Sequence, residues 1–305
     1  MKEKMAVEDV MGVPLEGWEW LRQKISDYTL LTKLRLSFLV LITALAGFFL
    51  GSDGPVQLGL LLCFGAGNLL VVAGANAFNE VIERDYDALM RRTANRPLPA
   101  GRVGVGEALA AATVMSVVGL LLLIIVVNLL TGFLAALALA TYVFVYTPLK
   151  RKSTWCTFVG AISGAIPPVM GWTAARNEIG PMAWMLFAIL FLWQFPHFWA
   201  IAWAYRDDYA HAGFQMLPVI DSTGQRTGRQ VFVYSVLLLL TSLTPAILGL
   251  QGPIYFFGAL GLGLILIGYG IRLWAVRSRP AARQLMLASI VYLPVLLTLM
   301  IFGKK

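Results

Sequence analysis

Nine stretches of this chain are each apolar enough, and long enough, to cross a bilayer as a helix. A hydrocarbon core about 30 Å thick takes roughly 20 apolar residues per helical span. The runs lie at about 36–52, 57–79, 107–127, 129–147, 155–175, 182–204, 230–250, 254–273 and 284–302. They are continuous, as from Leu120 to Val127, rather than alternating over about ten residues as barrel strands do, so helices are expected. Only 13% of the residues are charged, about half the roughly 25% of soluble domains. That poverty of charge also excludes a disordered chain. Cys63 and Cys156 are the two cysteines, too far apart in sequence for a CxxC metal site and too few for a disulfide framework. The expected fold is an all-α polytopic membrane protein of nine transmembrane helices.

The net charge is +8, which in a soluble protein would suggest nucleic acid. Its distribution points to a membrane instead, and no nucleic-acid partner is expected. Lys and Arg collect in short cytoplasmic loops, and 21 of the 24 here fall on one face. They precede span one (Lys2, Lys4, Arg22, Lys24, Lys33, Arg35), then follow spans two, four, six and eight; only Arg176, Lys304 and Lys305 lie on the other side. The N-terminus is therefore expected in the cytoplasm and the C-terminus outside, in a bacterial plasma (inner) membrane. Residues 1–30 read as a polar cytoplasmic extension without a cleavable signal core, and 31–305 as one nine-helix transmembrane domain. The cytoplasmic segments 80–106 and 205–229 are long enough to hold a site.

Ionisable residues near membrane depth are costly and default to function. Span two runs into Asn79-Glu80-Val81-Ile82-Glu83-Arg84-Asp85-Tyr86-Asp87. On a helix Asn79, Glu83 and Asp87 share one face, whereas Asp85 points elsewhere. Three oxygen ligands at the end of an apolar tunnel suit Mg²⁺, which takes one or two carboxylates and completes its shell with water and phosphate oxygens. Arg92 and Arg96 follow, with bidentate donors suited to phosphate; Arg91 and Arg102 read as orientation signals. Span four ends in Tyr146-Thr147-Pro148-Leu149-Lys150-Arg151, placing Lys150 and Arg151 where they would hold a diphosphate. Gly160, Ser163, Gly164, Pro167, Pro168 and Gly171 in span five permit close packing and a local break in the helix. In span six, Gln194, His197, Tyr205 and Asp208 fall on one helical stripe at 100° per residue, with Asp207 off it. The stripe is expected to line a cavity, with Asp208 the better metal ligand.

Acids at two cytoplasmic mouths, cations between them and an apolar chamber below fit ionisation of an allylic diphosphate. Metal and cations would stabilise charge on the leaving group, and the chamber would keep water from the carbocation. A secondary transporter is the competing class, disfavoured because the carboxylates gather at one face rather than at midplane.

These motifs resemble the UbiA superfamily of intramembrane prenyltransferases. Within it, the signatures Asp85 to Thr93 with Asn95-Arg96-Pro97-Leu98, Tyr146 to Arg151, Gly164 to Pro168, Trp193-Gln194-Phe195-Pro196-His197-Phe198 and Met216-Leu217-Pro218-Val219 are similar to the branch that farnesylates haem. The likeness runs from about residue 30 to the last span. It implies haem B and farnesyl diphosphate as substrates, haem O and diphosphate as products, and Mg²⁺ as cofactor. Asn79, Glu83 and Asp87 would bind the first Mg²⁺, and Asp208, with Asp207 beside it, a second. Arg92, Arg96, Lys150 and Arg151 would hold diphosphate. Tyr146, Gln194 and Tyr205 would line the substrate site, with His197 contacting haem as iron ligand or propionate partner. A downstream haem-modifying enzyme or terminal oxidase assembly would receive the product. The sequence departs from the family pattern at Glu83, where Asp is usual, and at Ala212, four residues after Asp208, where a second acid is absent. A superfamily member acting on an aromatic quinone precursor would share the first motif without needing the Trp193–Phe198 block.

Overall fold

The computed structural model describes residues 17–304. Residues 1–16 of the expected extension, with Lys2 and Lys4, and Lys305 at the far end lie outside the described residues. Among the described residues, nine helices are long and apolar enough to span a membrane: α2 (Leu34–Gly51), α3 (Leu58–Asp87), α4 (Val105–Val127), α5 (Leu129–Leu149), α6 (Cys156–Arg176), α7 (Pro181–Ala204), α10 (Gln225–Ile247), α11 (Pro253–Val276) and α12 (Arg279–Phe302). Three short helices complete the described residues: α1 (Gly17–Leu31), α8 (Arg206–His211) and α9 (Leu217–Ile220). The spans coincide with the apolar runs to within a few residues, except at the end of α3 and the start of α10 and α12, where helix continues into polar sequence.

Membrane helices gain little from hydrophobicity against lipid and associate through close packing of small residues. Gly47 and Gly51 of α2 meet Pro168 and Trp172 of α6, and Gly171 of α6 meets Ala44 and Phe48 of α2; a Cβ at Gly171 would lie 2.6 Å from the Phe48 amide nitrogen, and one at Gly51 3.1 Å from Trp172 Cα. Gly67 and Gly74 of α3 seat against Gly119, Ala112 and Ser116 of α4 in the same way. The small residues of α6 thus serve packing, and the helix passes through Pro167 and Pro168 without interruption. Of the two outcomes such a run permits, the structure takes the close packing and not the break: each proline forgoes one ladder bond while the turn stays clasped between α2, α5 and α7. Accordingly α6 is the most buried span, with α7 beside it at the centre; α7 also contacts α10 and α12, and α12 returns to α2.

Two connections carry polar work. Asn128, the single residue between α4 and α5, accepts a bond from the Thr131 amide at 2.8 Å and donates to the Thr173 carbonyl at 2.8 Å. At the other end of the bundle α1 docks on the segment after α3 and on the first turn of α4: Asp27, 1% exposed, pairs with Arg102 at 2.8 Å, and Lys24 with Glu107 at 2.8 Å. Arg102 therefore ties α1 to the bundle in addition to any effect on orientation.

Candidate active site

At 30 residues α3 is longer than a bilayer requires, and its last three turns carry the polar load. Asn79, Glu80, Glu83 and Asp87 are all buried, at 1%, 1%, 6% and 1% exposure. Unpaired charges are not tolerated at such depth, and each group has a basic side chain beside it. Lys33 Nζ donates to Asn79 Oδ1 at 2.6 Å, while the Asn79 amide donates to Thr147 Oγ1 at 3.1 Å. Lys150 Nζ lies 2.7 Å from Glu83 Oε1 and 3.0 Å from Oε2. Arg96 bonds Asp87 Oδ2 at 2.7 Å and stands 3.5 Å from Glu80 Oε1. Asp85 points away and pairs with its neighbour Arg84.

The cations reach these acids from three other elements. Lys33 sits at the turn between α1 and α2 in the left-handed backbone region, φ 47°, a costly conformation for a residue with a side chain. Arg96 comes from the irregular segment after α3. Lys150 follows a π-helical stretch, Thr141–Tyr146, closing α5; such stretches gather at functional sites. This one lays the Tyr146 ring against Gly160 and under Lys150, 4.7 Å from its centroid. Burial works against the charge on Arg96, but Asp87 and Glu80 outweigh it and hold the guanidinium above its usual range. Burial likewise opposes charge on Lys150, and Glu83 raises it again, for a net upward shift. Lys33 has weaker support: burial first, then Arg96, pushes it down to about 8.

The second acidic segment lies beside the first. Met90, Ala212 and Phe214 form a small buried cluster flanked by Tyr86 and Tyr209, and the Gln215 amide bonds the Lys150 carbonyl at 2.9 Å. Arg92 bridges the two segments, donating to Tyr209 Oη at 3.1 Å and lying over the Tyr205 ring at 5.2 Å. Arg151 lies over the Tyr86 ring at 3.8 Å and bonds its hydroxyl. Asp207 is exposed and pairs with Arg279, whereas Asp208 is half-buried.

The stripe expected along span six is not continuous. Helix α7 ends at Ala204, and Tyr205 (φ −115°, ψ 24°) resets the phase before α8, so Tyr205 and Asp208 do not extend the face of Gln194. Nor do Gln194 and His197 look the same way. Gln194 turns to α6, donating to the Ala161 carbonyl at 2.9 Å, where Gly164 leaves room for it; a Cβ there would lie 2.9 Å from Gln194 Cδ. His197 turns to α12 and meets Ser289 Oγ at 2.7 Å. Gln194 is thus a helix-packing amide with its donors satisfied, not a cavity-lining partner of His197.

Lys33, Glu80 and Thr147 were not singled out in the sequence. Lys33 is hidden among cations that precede the first span, and Glu80 differs from Glu83 only in being one helical step off the expected face. The donor set at the end of α3 fits a hard divalent ion: oxygen ligands on successive turns, and both carboxylate oxygens of Glu80 buried without a hydrogen-bond donor. Among the described residues, no three Asp, Glu, His or Cys side chains converge on one point. An ion there would draw on Glu83, Asp87 and the Asn79 amide, with phosphate oxygens completing its shell.

Spanning helices that gather buried acids and cations at one end of a bundle form a charge arrangement suited to a metal-bound diphosphate. The chain matches the model of the UbiA prenyltransferase family over residues 40–293, and it belongs to that family. The protoheme IX farnesyltransferase of Solibacter usitatus is 44% identical to it, covering 91% of this chain and 98% of that protein. That of Koribacter versatilis is 43% identical over 98% of this chain and 99% of its own. The fold is shared with solved structures of low identity. One from work on digeranylgeranylglyceryl phosphate synthase has a TM-score of 0.77 at 17% identity, covering 92% of this chain and 98% of that one. A UbiA homologue from Archaeoglobus fulgidus bound to GPP and Mg²⁺ has a TM-score of 0.67 at 14% identity, covering 90% and 99%.

Proposed function

We propose that this chain is a haem O synthase, transferring the farnesyl group of farnesyl diphosphate to a vinyl group of haem B. The observation that carries this reading is the near full-length identity to protoheme IX farnesyltransferases, together with a mouth whose charges suit a diphosphate. Arg92, Arg96, Lys150 and Arg151 would receive the diphosphate, Lys150 and Arg96 turning from Glu83 and Asp87 as the more highly charged ligand arrives. Asn79, Glu83 and Asp87 are the residues that would hold Mg²⁺, with Asp208 available to a second ion; when bound, the metal neutralises charge building on the leaving group. The C1–O bond of the allylic diphosphate breaks, and its electron pair leaves with the diphosphate. The vinyl π electrons form the new C–C bond, and water adds at the neighbouring carbon with loss of a proton. The spans below exclude other water from the cation, which asks for no protein nucleophile.

The distribution of basic residues supports a cytoplasmic mouth and N-terminus with the C-terminus outside, and the bacterial relatives favour a plasma membrane. Purified protein with Mg²⁺, haem B and farnesyl diphosphate should release diphosphate and yield a porphyrin heavier by one farnesyl group plus one hydroxyl group. An unchanged haem mass, with turnover of 4-hydroxybenzoate instead, would assign the chain to the aromatic-acceptor members of the family.

A further inference from the structure

The polar contacts of His197 single out a residue on the last span. His197 Nδ1 lies 2.7 Å from Ser289 Oγ, and Ser289 Oγ donates its proton to the Met286 carbonyl at 2.6 Å. A serine hydroxyl has one proton, so with that proton on Met286 the oxygen accepts from His197, and Nδ1 must carry the hydrogen. Nε2 is then left with its lone pair. It makes no hydrogen bond among the described residues and is not among the sealed, unpartnered polar atoms of the structure. Trp193 holds the arrangement from the side, its indole donating to the Ser289 carbonyl at 2.8 Å while its ring stacks on the imidazole at 4.5 Å and 16°. Ser289 is 0% exposed. His197 stands seven residues short of the end of α7, about 10 Å along the helix from the mouth.

We infer that Ser289 is a positioning residue that fixes His197 in the Nδ1–H tautomer and presents Nε2 to the iron of the porphyrin substrate. The inference rests on the haem reading above. A neutral imidazole with one nitrogen tied to an acceptor and the other free is the form that ligates metals, and the outer partner sets both tautomer and ring orientation. Coordination moves no proton and no redox electron; the lone pair of Nε2 would be donated to the iron. Trp193 and Ser289 lie on different spans, so the ring is clamped between α7 and α12, a rigidity that a loop-borne histidine would lack.

The test is haem B titrated into the detergent-purified full chain, read by Soret absorption and by EPR of the ferric form, with metal-free protoporphyrin IX titrated in parallel. Wild type should give an imidazole-ligated spectrum, and His197→Ala should lose it. Ser289→Ala should weaken haem binding about 10–100-fold, the usual cost of removing an outer-shell partner, and leave protoporphyrin IX binding unchanged. Ser289→Thr, which keeps the hydroxyl, should restore the spectrum. Wild-type haem affinity and spectrum in Ser289→Ala would overturn the inference, as would equal losses for haem and protoporphyrin IX, which would mark a merely structural serine. Should Ser289→Ala fail to fold, an imidazole-ligated spectrum that survives in His197→Ala overturns it by itself. Absence of any farnesylated haem from the wild type would instead sink the substrate reading.

Discussion

Lys150, from the end of α5, meets Glu83, from the penultimate turn of α3, at 2.7 Å, and both side chains are almost wholly buried, at 11% and 7% exposure. Such a pair is costly to break, because removing one partner strands the other charge, typically at about 3–5 kcal/mol, while replacing both is often neutral. Lys150→Met should therefore lower the unfolding temperature in detergent, and adding Glu83→Gln should recover most of the loss. Additive losses in the double variant would mean that the two charges are not coupled.

Activity should follow the acids more steeply than stability does. Glu83→Gln and Asp87→Asn are expected to lower kcat by about 10²–10³-fold, the several kcal/mol that a metal contributes at a departing diphosphate, measured below the lowered unfolding temperature that a stranded cation brings. Glu83→Asp should keep much more activity, and chelation of Mg²⁺ should abolish diphosphate release until the metal is restored. Turnover in EDTA equal to that in Mg²⁺ would refute the metal role.

The α2–α6 crossing predicts a contrast between glycines. Gly171→Ala places a methyl group against the α2 backbone, 2.6 Å from the Phe48 amide nitrogen and 3.0 Å from the Ala44 carbonyl carbon; overpacking of this kind costs about 1–3 kcal/mol or more. Gly59→Ala, which meets nothing within 4 Å, should leave the unfolding temperature unchanged or slightly raised. Equal responses at the two sites would show that backbone proximity does not hold this crossing.

Lys33 gives a pH signature. Burial first, then Arg96, holds it at about 8 in the folded chain, below the roughly 10.4 of an unfolded lysine. Between those values the unfolded chain binds more protons, so this site adds stability as pH rises through the window. Without added metal, the unfolding temperature of wild type relative to Lys33→Met should shift in favour of wild type between pH 7 and pH 10. A difference that does not change with pH would contradict the assignment.

The first motif was legible because it needs only one helix: Asn79, Glu83 and Asp87 stack on one face wherever α3 runs. The second was not, since its stripe assumed a single helix through residues 194–208, and Tyr205 breaks the phase. No periodicity could show that Gln194 faces α6 and His197 faces α12, because that depends on which helices flank α7. Lys33 was hidden for the same reason; 46 residues separate it from Asn79 in the chain.

The sequence by itself determined the number of spans, their expected orientation and the face of α3 that carries the acids. These follow from bilayer thickness, the placement of Lys and Arg, and the 3.6-residue turn. Only the tertiary structure decided which cation stands on which acid, which small residues let α2 touch α6, and which nitrogen of His197 is left free. Those are relations between helices distant in sequence, set by backbone approach and by the need of every buried polar group for a partner.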